Sequence, residues 1–366
     1  MSGGTWKARF AAVPFSKKLI VILNIVLVVL CAVCVLSLRS LSTAFDTVTA
    51  AHRFQGDSGI RFAQIACYLP VGEGQSQEEI WSLREKLDAK LVEQSLEAPE
   101  EGNLYLDAYS ARTNVTVKTA HSTAEVSAYG VGGEFFYFHP MFLRSGSYIS
   151  ERDLMDDLVV LDEALAWRFF GGIDLAGMTL YINDKPFVVS GVISMEDDIA
   201  TGHARTEDGI LFLSYPALAK LQEGLTIDSY EIVMPNPISG YALGVMEELM
   251  GRNGGTIVEN SGRFSFLRLW DVVKRLGERS MRMGAVVYPY WENALRFAED
   301  HAALLAVLIT LTALCPCISL AIAIVRGVVT LWRFIRKKVP ERLREAMERS
   351  REERYARLET SDREGE

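Results

Sequence analysis

Cysteine is scarce and poorly placed for a disulfide framework. Four of the five, Cys31, Cys34, Cys315 and Cys317, fall inside long apolar runs, which leaves Cys67 without an intramolecular partner in the polar middle of the chain. At about 1.5 Å per residue, Cys31 lies roughly 10 Å from the end of its run and Cys315 roughly 20 Å from the end of the other. That mismatch argues against cross-pairing, so small, polarizable packing residues are expected there. Histidine is equally thin. His52, His121, His139, His203 and His301 are scattered without an HExxH or paired metal spacing, and each is expected to be structural. The chain has no GxxxxGK[ST], so it cannot act as its own ATPase by that route, and no serine sits in a GxSxG elbow. Two acidic clusters, Asp153 with Asp156 and Asp157, and Glu196 with Asp197 and Asp198, lack the alternating ligands and glycine of a calcium loop. No catalytic, cofactor-binding or metal-binding residue is expected, and the chain is not expected to be an enzyme.

Long apolar runs are what the sequence does have, and they explain a hydrophobic content of 49%. Leu19 to Leu38 is interrupted only by Asn24 and Ser37, and Ala302 to Val325 carries no charge. Each is long enough to cross about 30 Å of hydrocarbon. The first exceeds a usual signal-peptide core and has no clean small-x-small site after it, which favours an uncleaved helix over a leader. Lys7, Arg9, Lys17 and Lys18 precede it, and Arg326, Arg333, Arg336, Lys337 and Lys338 follow the second run. By the positive-inside rule both termini are cytoplasmic and the middle is extracytoplasmic. Between Arg39 and His301 the net charge is about −16, a balance unsuited to nucleic acid.

The expected organisation is a cytoplasmic segment 1–18, a transmembrane helix 19–38, an extracytoplasmic domain 39–301, a second transmembrane helix 302–325 and a charged cytoplasmic tail 326–366. Trp6, Phe10 and Phe15 suit a membrane interface in the lead segment. Leu41, Phe45, Val48 and His52 keep helical spacing, so the first span is expected to continue outward as a stalk ended by Gly56, Ser58 and Gly59. A strand over 60–69 and a helix over 76–96 follow, the helix opened by a Ser76/Glu79 capping box and carrying Ile80, Leu83, Leu87 and Leu91 as a stripe. Strands are expected over 104–110, 114–119 and 124–130, then over 209–213, 229–234 and 256–259, with helices over 215–221 and 239–250. Residues 264–283 are amphipathic and mildly basic. Tyr288-Pro-Tyr-Trp291, just ahead of the second run, fits an interfacial aromatic belt. Pro316 is expected to kink the second span and free a carbonyl near Thr312.

The most informative stretch runs from Glu134 to Ile193. Leu158 to Leu161 form a short strand, Asp162 caps a helix that Gly171-Gly172 stops, and Met178 to Ile182 and Pro186 to Ile193 form a hairpin around Asn183-Asp184. The aromatic run Glu134 to Pro140 is expected to pack a junction rather than hold a ligand. This order of strand, helix ending in Phe-Gly, and hairpin closing in Val188-Val189-Ser190-Gly191-Val192 resembles the periplasmic core domain of MacB-type, FtsX-related ABC transporter permeases. The resemblance implies an α+β fold with two lobes, a β-α-β lobe and an inserted β-rich lobe at about 134–208, between two transmembrane helices. It further implies a permease-like subunit that relays movement between a separate ATPase subunit and the outer domain for export or an envelope process.

One departure stands against the pattern. Permeases of that type carry three spans after the outer domain, and only one follows here, so an ATPase would dock through the tail helix or through a second, full-length permease. The tail itself, with Leu343, Met347, Ser350, Arg354 and Leu358 on one line, is either a solvated charged helix or a docking helix for a cytoplasmic partner or a lipid surface. Other partners left open are the lipid bilayer and a homo- or heterodimer through the membrane helices. A two-pass binding or adaptor protein without ATPase coupling is the alternative, and a membrane-anchored hydrolase is disfavoured by the lack of a nucleophile-base or metal set.

Overall fold

The computed structural model describes residues 14–56, 59–94, 103–120, 122–195, 198–205, 209–251, 254–275 and 286–363. Trp6, Phe10, Ser58, His121, Glu196, Asp197 and residues 276–283 lie outside them. The chain divides into two compact units, one formed by Met1–Leu36 with Val307–Glu366, the other by Ser37–Ala306.

In the first unit, helix α1 (Phe15–Ser42) and helix α10 (Tyr290–Arg363) supply two apolar segments long enough to cross a membrane. They are joined by Asn24, whose Nδ2 donates to Ser319 Oγ at 3.1 Å, and by Cys31, whose Sγ lies 3.9 Å from the Ile309 carbonyl. All five cysteines are free thiols. Helix α10 runs through Pro316 without interruption, and Thr312 turns its hydroxyl back to the Leu308 carbonyl at 2.7 Å.

The second unit is built on one ten-stranded sheet. Its strands are β1 (Phe62–Tyr68), β2 (Leu106–Lys118), β3 (Thr123–Gly133), β4 (Phe142–Gly146), β5 (Leu158–Asp162), β6 (Thr179–Ile182), β7 (Lys185–Ser194), β8 (Ile210–Ser214), β9 (Ser229–Pro235) and β10 (Thr256–Glu259). The order is β10-β1-β9-β2-β3-β8-β5-β7-β4, with β6 bridging β2 and β7. The segments at 104–110 and 114–119 are not separate strands. They fuse into the 13-residue β2, which pairs with β3 from Ala108↔Gly133 to Lys118↔Thr123.

Period-2 alternation divides the side chains between two covered faces, which is why β5 and β8 read as unbroken apolar runs. On one face lie two cores. The first joins Ala63, Ile65 and Cys67 of β1 and Tyr109 and Ala111 of β2 to helix α3 (Gln77–Glu93) and helix α8 (Tyr241–Met250). The second joins Val115 and Val117, at the far end of β2, to β5, β7, β8, helix α5 (Glu163–Phe170) and helix α7 (Tyr215–Leu221). The two lobes therefore share a sheet, and the block 134–208 extends it at one edge.

Local chemistry sets the element ends. Ser76 and Glu79 form the capping box of α3, and Asp162 Oδ1 accepts from Leu165 N at 2.8 Å to cap α5. Gly171 takes the left-handed conformation that ends α5, and Asn183 and Asp184 adopt positive φ in the β6–β7 turn. The stalk is not continuous. Helix α1 stops at Ser42, and the chain resumes as a 3-10 turn at Asp46–Val48 and a short helix α2 (Ala50–Gln55) whose Ala50 and Ala51 are buried. Those alanines press on the sheet, while Leu41, Phe45 and Val48, whose spacing suggested one rod, pack on Ala294, Leu295 and Ala298 of α10.

One half-buried carboxyl makes stability depend on pH. Burial pushes Asp228 up to about 7 from its ordinary 3.8, with Arg112 opposing the shift. The folded chain then holds this proton more tightly than the unfolded chain. The contribution is complete below about pH 4 and is lost as the pH rises to about 7. Asp228→Asn in the detergent-solubilised chain is expected to raise the melting temperature at pH 7 and to leave it unchanged at pH 4.

Candidate functional site

The opposite face of the sheet is where the chemistry concentrates. Glu231 and Val233 of β9 point there, between the inward-facing Tyr230, Ile232 and Met234. Covering them are helix α2, the short helix α4 (Phe135–Phe138) and the first turns of α10. Trp291 is the centrepiece: its ring lies 4.5 Å from His139, 5.4 Å from Tyr129 and 5.6 Å from Phe135. His139 in turn bonds Glu231 through Nε2, both side chains being buried. The aromatic run at 134–140 thus packs a junction, with Phe135 and Phe138 in the core. The segment Tyr288 to Trp291 does not form an interfacial belt. All three of its aromatic rings are buried in the folded unit, because α10 starts at Tyr290 and its first turns belong to the core.

Beside Trp291 sits a network of charges with Arg263 and Glu292 buried at its centre. Arg263 follows β10 and Glu292 lies one residue after Trp291. Arg263 Nη1 donates to Glu292 Oε2 at 2.7 Å and Nη2 to Oε1 at 2.8 Å, a bidentate pair whose side chains are 2% and 0% exposed. Nη2 also donates to Glu299 Oε2 at 3.0 Å, and Nη1 to Asn260 Oδ1 at 3.0 Å. Arg296 Nε reaches Glu292 Oε1 at 2.7 Å while its guanidinium lies 3.7 Å over the Tyr288 ring. Tyr68 of β1 points its hydroxyl at Glu292, 3.4 Å away. Burial works against the Arg263 charge, but Glu292 and Glu299 raise it well above its ordinary value. Burial pushes the Tyr68 phenol well up, reinforced by Glu292, so it stays a donor. The arrangement is an anchor. It ties the root of α10, at Glu292, Arg296 and Glu299, to β1 and to the turn after β10.

A second feature is a cleft of about 720 Å³ lined by Arg84, Asp107, Glu134 and Glu151. Arg84 donates to both Asp107 oxygens at 2.8 and 3.0 Å, and Tyr230 donates to Asp107 Oδ2 at 3.0 Å. Glu151 accepts from Tyr109 Oη at 3.1 Å and from Gly133 N at 3.0 Å. This second network joins α3, β2 and the loop after β4. Of the acidic clusters, Asp153 accepts from Ser150 N at 2.8 Å, Asp156 pairs with Lys220 at 2.7 Å and Asp198 caps the helix α6 (Ile199–Ala204). No group of metal-ligating residues forms among the described residues. His203 stacks on Phe297 at 5.0 Å, and His301 Nδ1 lies 2.9 Å from the Phe297 carbonyl.

Residues 19–238 match the family described as the MacB-like periplasmic core domain. The chain belongs to that family. A relative is the macrolide export ATP-binding/permease protein MacB of Aggregatibacter actinomycetemcomitans, 29% identical over 87 residues, which are 23% of this chain and 14% of that protein. The periplasmic region of MacB from Actinobacillus actinomycetemcomitans is 17% identical with a TM-score of 0.39, covering 60% of this chain and 94% of that one. The extracellular domain of the noncanonic ABC-type transporter YknZ from Gram-positive bacteria is 11% identical with a TM-score of 0.37, covering 54% and 99%. As a MacB-like core domain flanked by two long apolar helices, the chain fits a membrane protein with an extracytoplasmic domain. Arg263, Glu292 and Glu299 lie beyond the matched residues.

Sequence patterns did not point to the anchor. A signal was present: Glu292, Arg296 and Glu299 recur at helical spacing in a stretch of aromatic and apolar residues. Charges on one line of an otherwise apolar segment need partners, and Arg263 supplies one from across the fold.

Proposed function

We propose that this chain is a permease-like membrane subunit of a MacB-type ABC system, with both termini cytoplasmic, that relays conformational change between a separate ATPase and its extracytoplasmic domain. The observation that carries this is the root of α10. One unbroken helix includes both the apolar segment and the residues Trp291, Glu292 and Glu299 that are fixed in the sheet unit by packing and by Arg263. In this reading α10 is the element that links the apolar segment to the sheet unit. The basic residues Arg326, Arg333, Arg336, Lys337 and Lys338 after the apolar segment support a cytoplasmic end. Because the carboxylates of both networks pair with arginine, tyrosine and backbone donors, we read the chain's own part as mechanical and assign it no catalytic residue.

Affinity purification in mild detergent tests the reading. Recovery of a polypeptide with a Walker A motif, lost when 341–358 is deleted, is the expected outcome. Absence of any such ATPase, under conditions that keep other membrane partners bound, overturns it.

A further inference from the structure

Helix α9 (Phe266–Lys274) carries more apolar surface than the folded unit covers. At about 100° per residue, Val272, Leu269, Val273, Phe266, Trp270 and Leu267 fall in one arc of roughly 220°, against the roughly 100° stripe that a one-faced surface helix presents. Only Leu269 and Val272, at one end of the arc, are buried. Toward the other end Phe266 is 44% and Leu267 80% exposed, and the Phe266 and Trp270 rings meet edge to face at 6.2 Å. Lys274 falls between Trp270 and Leu267 and pairs with Asp271 at 3.0 Å, and Arg268, on the far side, pairs with Glu259.

The buried end says where this surface lies. Leu269 packs with Ala302 and Ala306, and Leu38, Leu41 and Phe264 close the same cluster. Leu38 and Leu41 belong to α1, and Ala302 and Ala306 to α10, at the points where those two helices become continuously apolar. Within the sheet unit, the buried end of α9 therefore packs on the residues at which the two apolar runs begin.

We propose that α9 is an interfacial helix that lays Leu267, Phe266 and Trp270 into the lipid headgroup layer of the membrane crossed by α1 and α10. Exposed apolar and aromatic side chains match the chemistry of that layer. Position selects the contact as well: the buried end of α9 packs on Leu38, Ala302 and Ala306, where the two apolar runs begin.

The test uses the full chain in nanodiscs of phosphatidylcholine and phosphatidylglycerol, in a background with alanine at the five cysteines. A single environment-sensitive fluorophore is placed at Leu267→Cys, at the fully exposed Leu154→Cys, or at Val29→Cys within the first apolar run. Lipids brominated near the headgroup end are expected to quench the probe at 267 about threefold more than the probe at 154, and more than deeply brominated lipids do, as a depth of about 5–10 Å requires. Equal quenching at 267 and 154 overturns the proposal. So does protection of 267 that depends on protein concentration, which would mark a second copy or another protein as the occupant. Quenching at 29 by the deep bromines reports membrane insertion separately. Failure at 267 alone thus removes the interfacial helix and leaves the relay function standing.

Discussion

Arg263→Ala is expected to destabilise the folded unit by about 3–5 kcal/mol, because it strands Glu292 and Glu299 as buried carboxylates without their guanidinium. Thermal or denaturant unfolding of the detergent-solubilised chain measures it. The size of the loss comes from orphaned charge rather than from lost attraction, which a second variant separates. Arg263→Met combined with Glu292→Leu and Glu299→Leu removes all three charges and is expected to return most of the stability, since apolar replacements of buried ion sets are often neutral or better. Arg296 is left partly exposed over Tyr288 in that variant, where water and the ring satisfy it. A near-neutral Arg263→Ala would mean that the root of α10 is held by packing alone.

Trp291→Ala is expected to cost about 3–5 kcal/mol, the range for deleting a buried aromatic side chain. Its ring touches Tyr129 of β3, Phe135 of α4 and His139, so truncation opens a void between α10 and the sheet. Trp291→Phe discriminates. The indole N–H has no hydrogen-bond partner among the described residues, so a smaller ring in the same place is expected to lose less than about 1.5 kcal/mol. If Trp291→Phe proves as damaging as Trp291→Ala, the indole nitrogen has a role beyond packing. In the relay reading, Trp291→Ala also weakens retention of movement across the root while leaving any ATPase docked.

Most elements were legible because their signals were local. The capping box at Ser76, the Asp162 cap, the Gly171 stop and the Asn183-Asp184 turn each depend on residues a few positions apart. The family resemblance was legible for the same reason, being a sequence of such local pieces. What escaped depends on contacts distant in sequence. Tyr288, Tyr290 and Trp291 have the composition of an interfacial belt, and only their packing on Tyr68, Tyr129 and Phe135 makes them core. Arg263 is unremarkable in sequence, and its partners stand 29 and 36 positions away. The fusion of two expected strands into β2 was hidden by Arg112 and Thr113, polar residues that read as a break although the ladder passes through them.

The length of β2 has a consequence for how the lobes come apart. Tyr109 and Ala111 belong to one core and Val115 and Val117 to the other, on a single strand zipped to β3 throughout. Neither half can melt while the other keeps its strand in register, so loss of one withdraws the scaffold from both. The sheet unit is accordingly expected to unfold in one cooperative step.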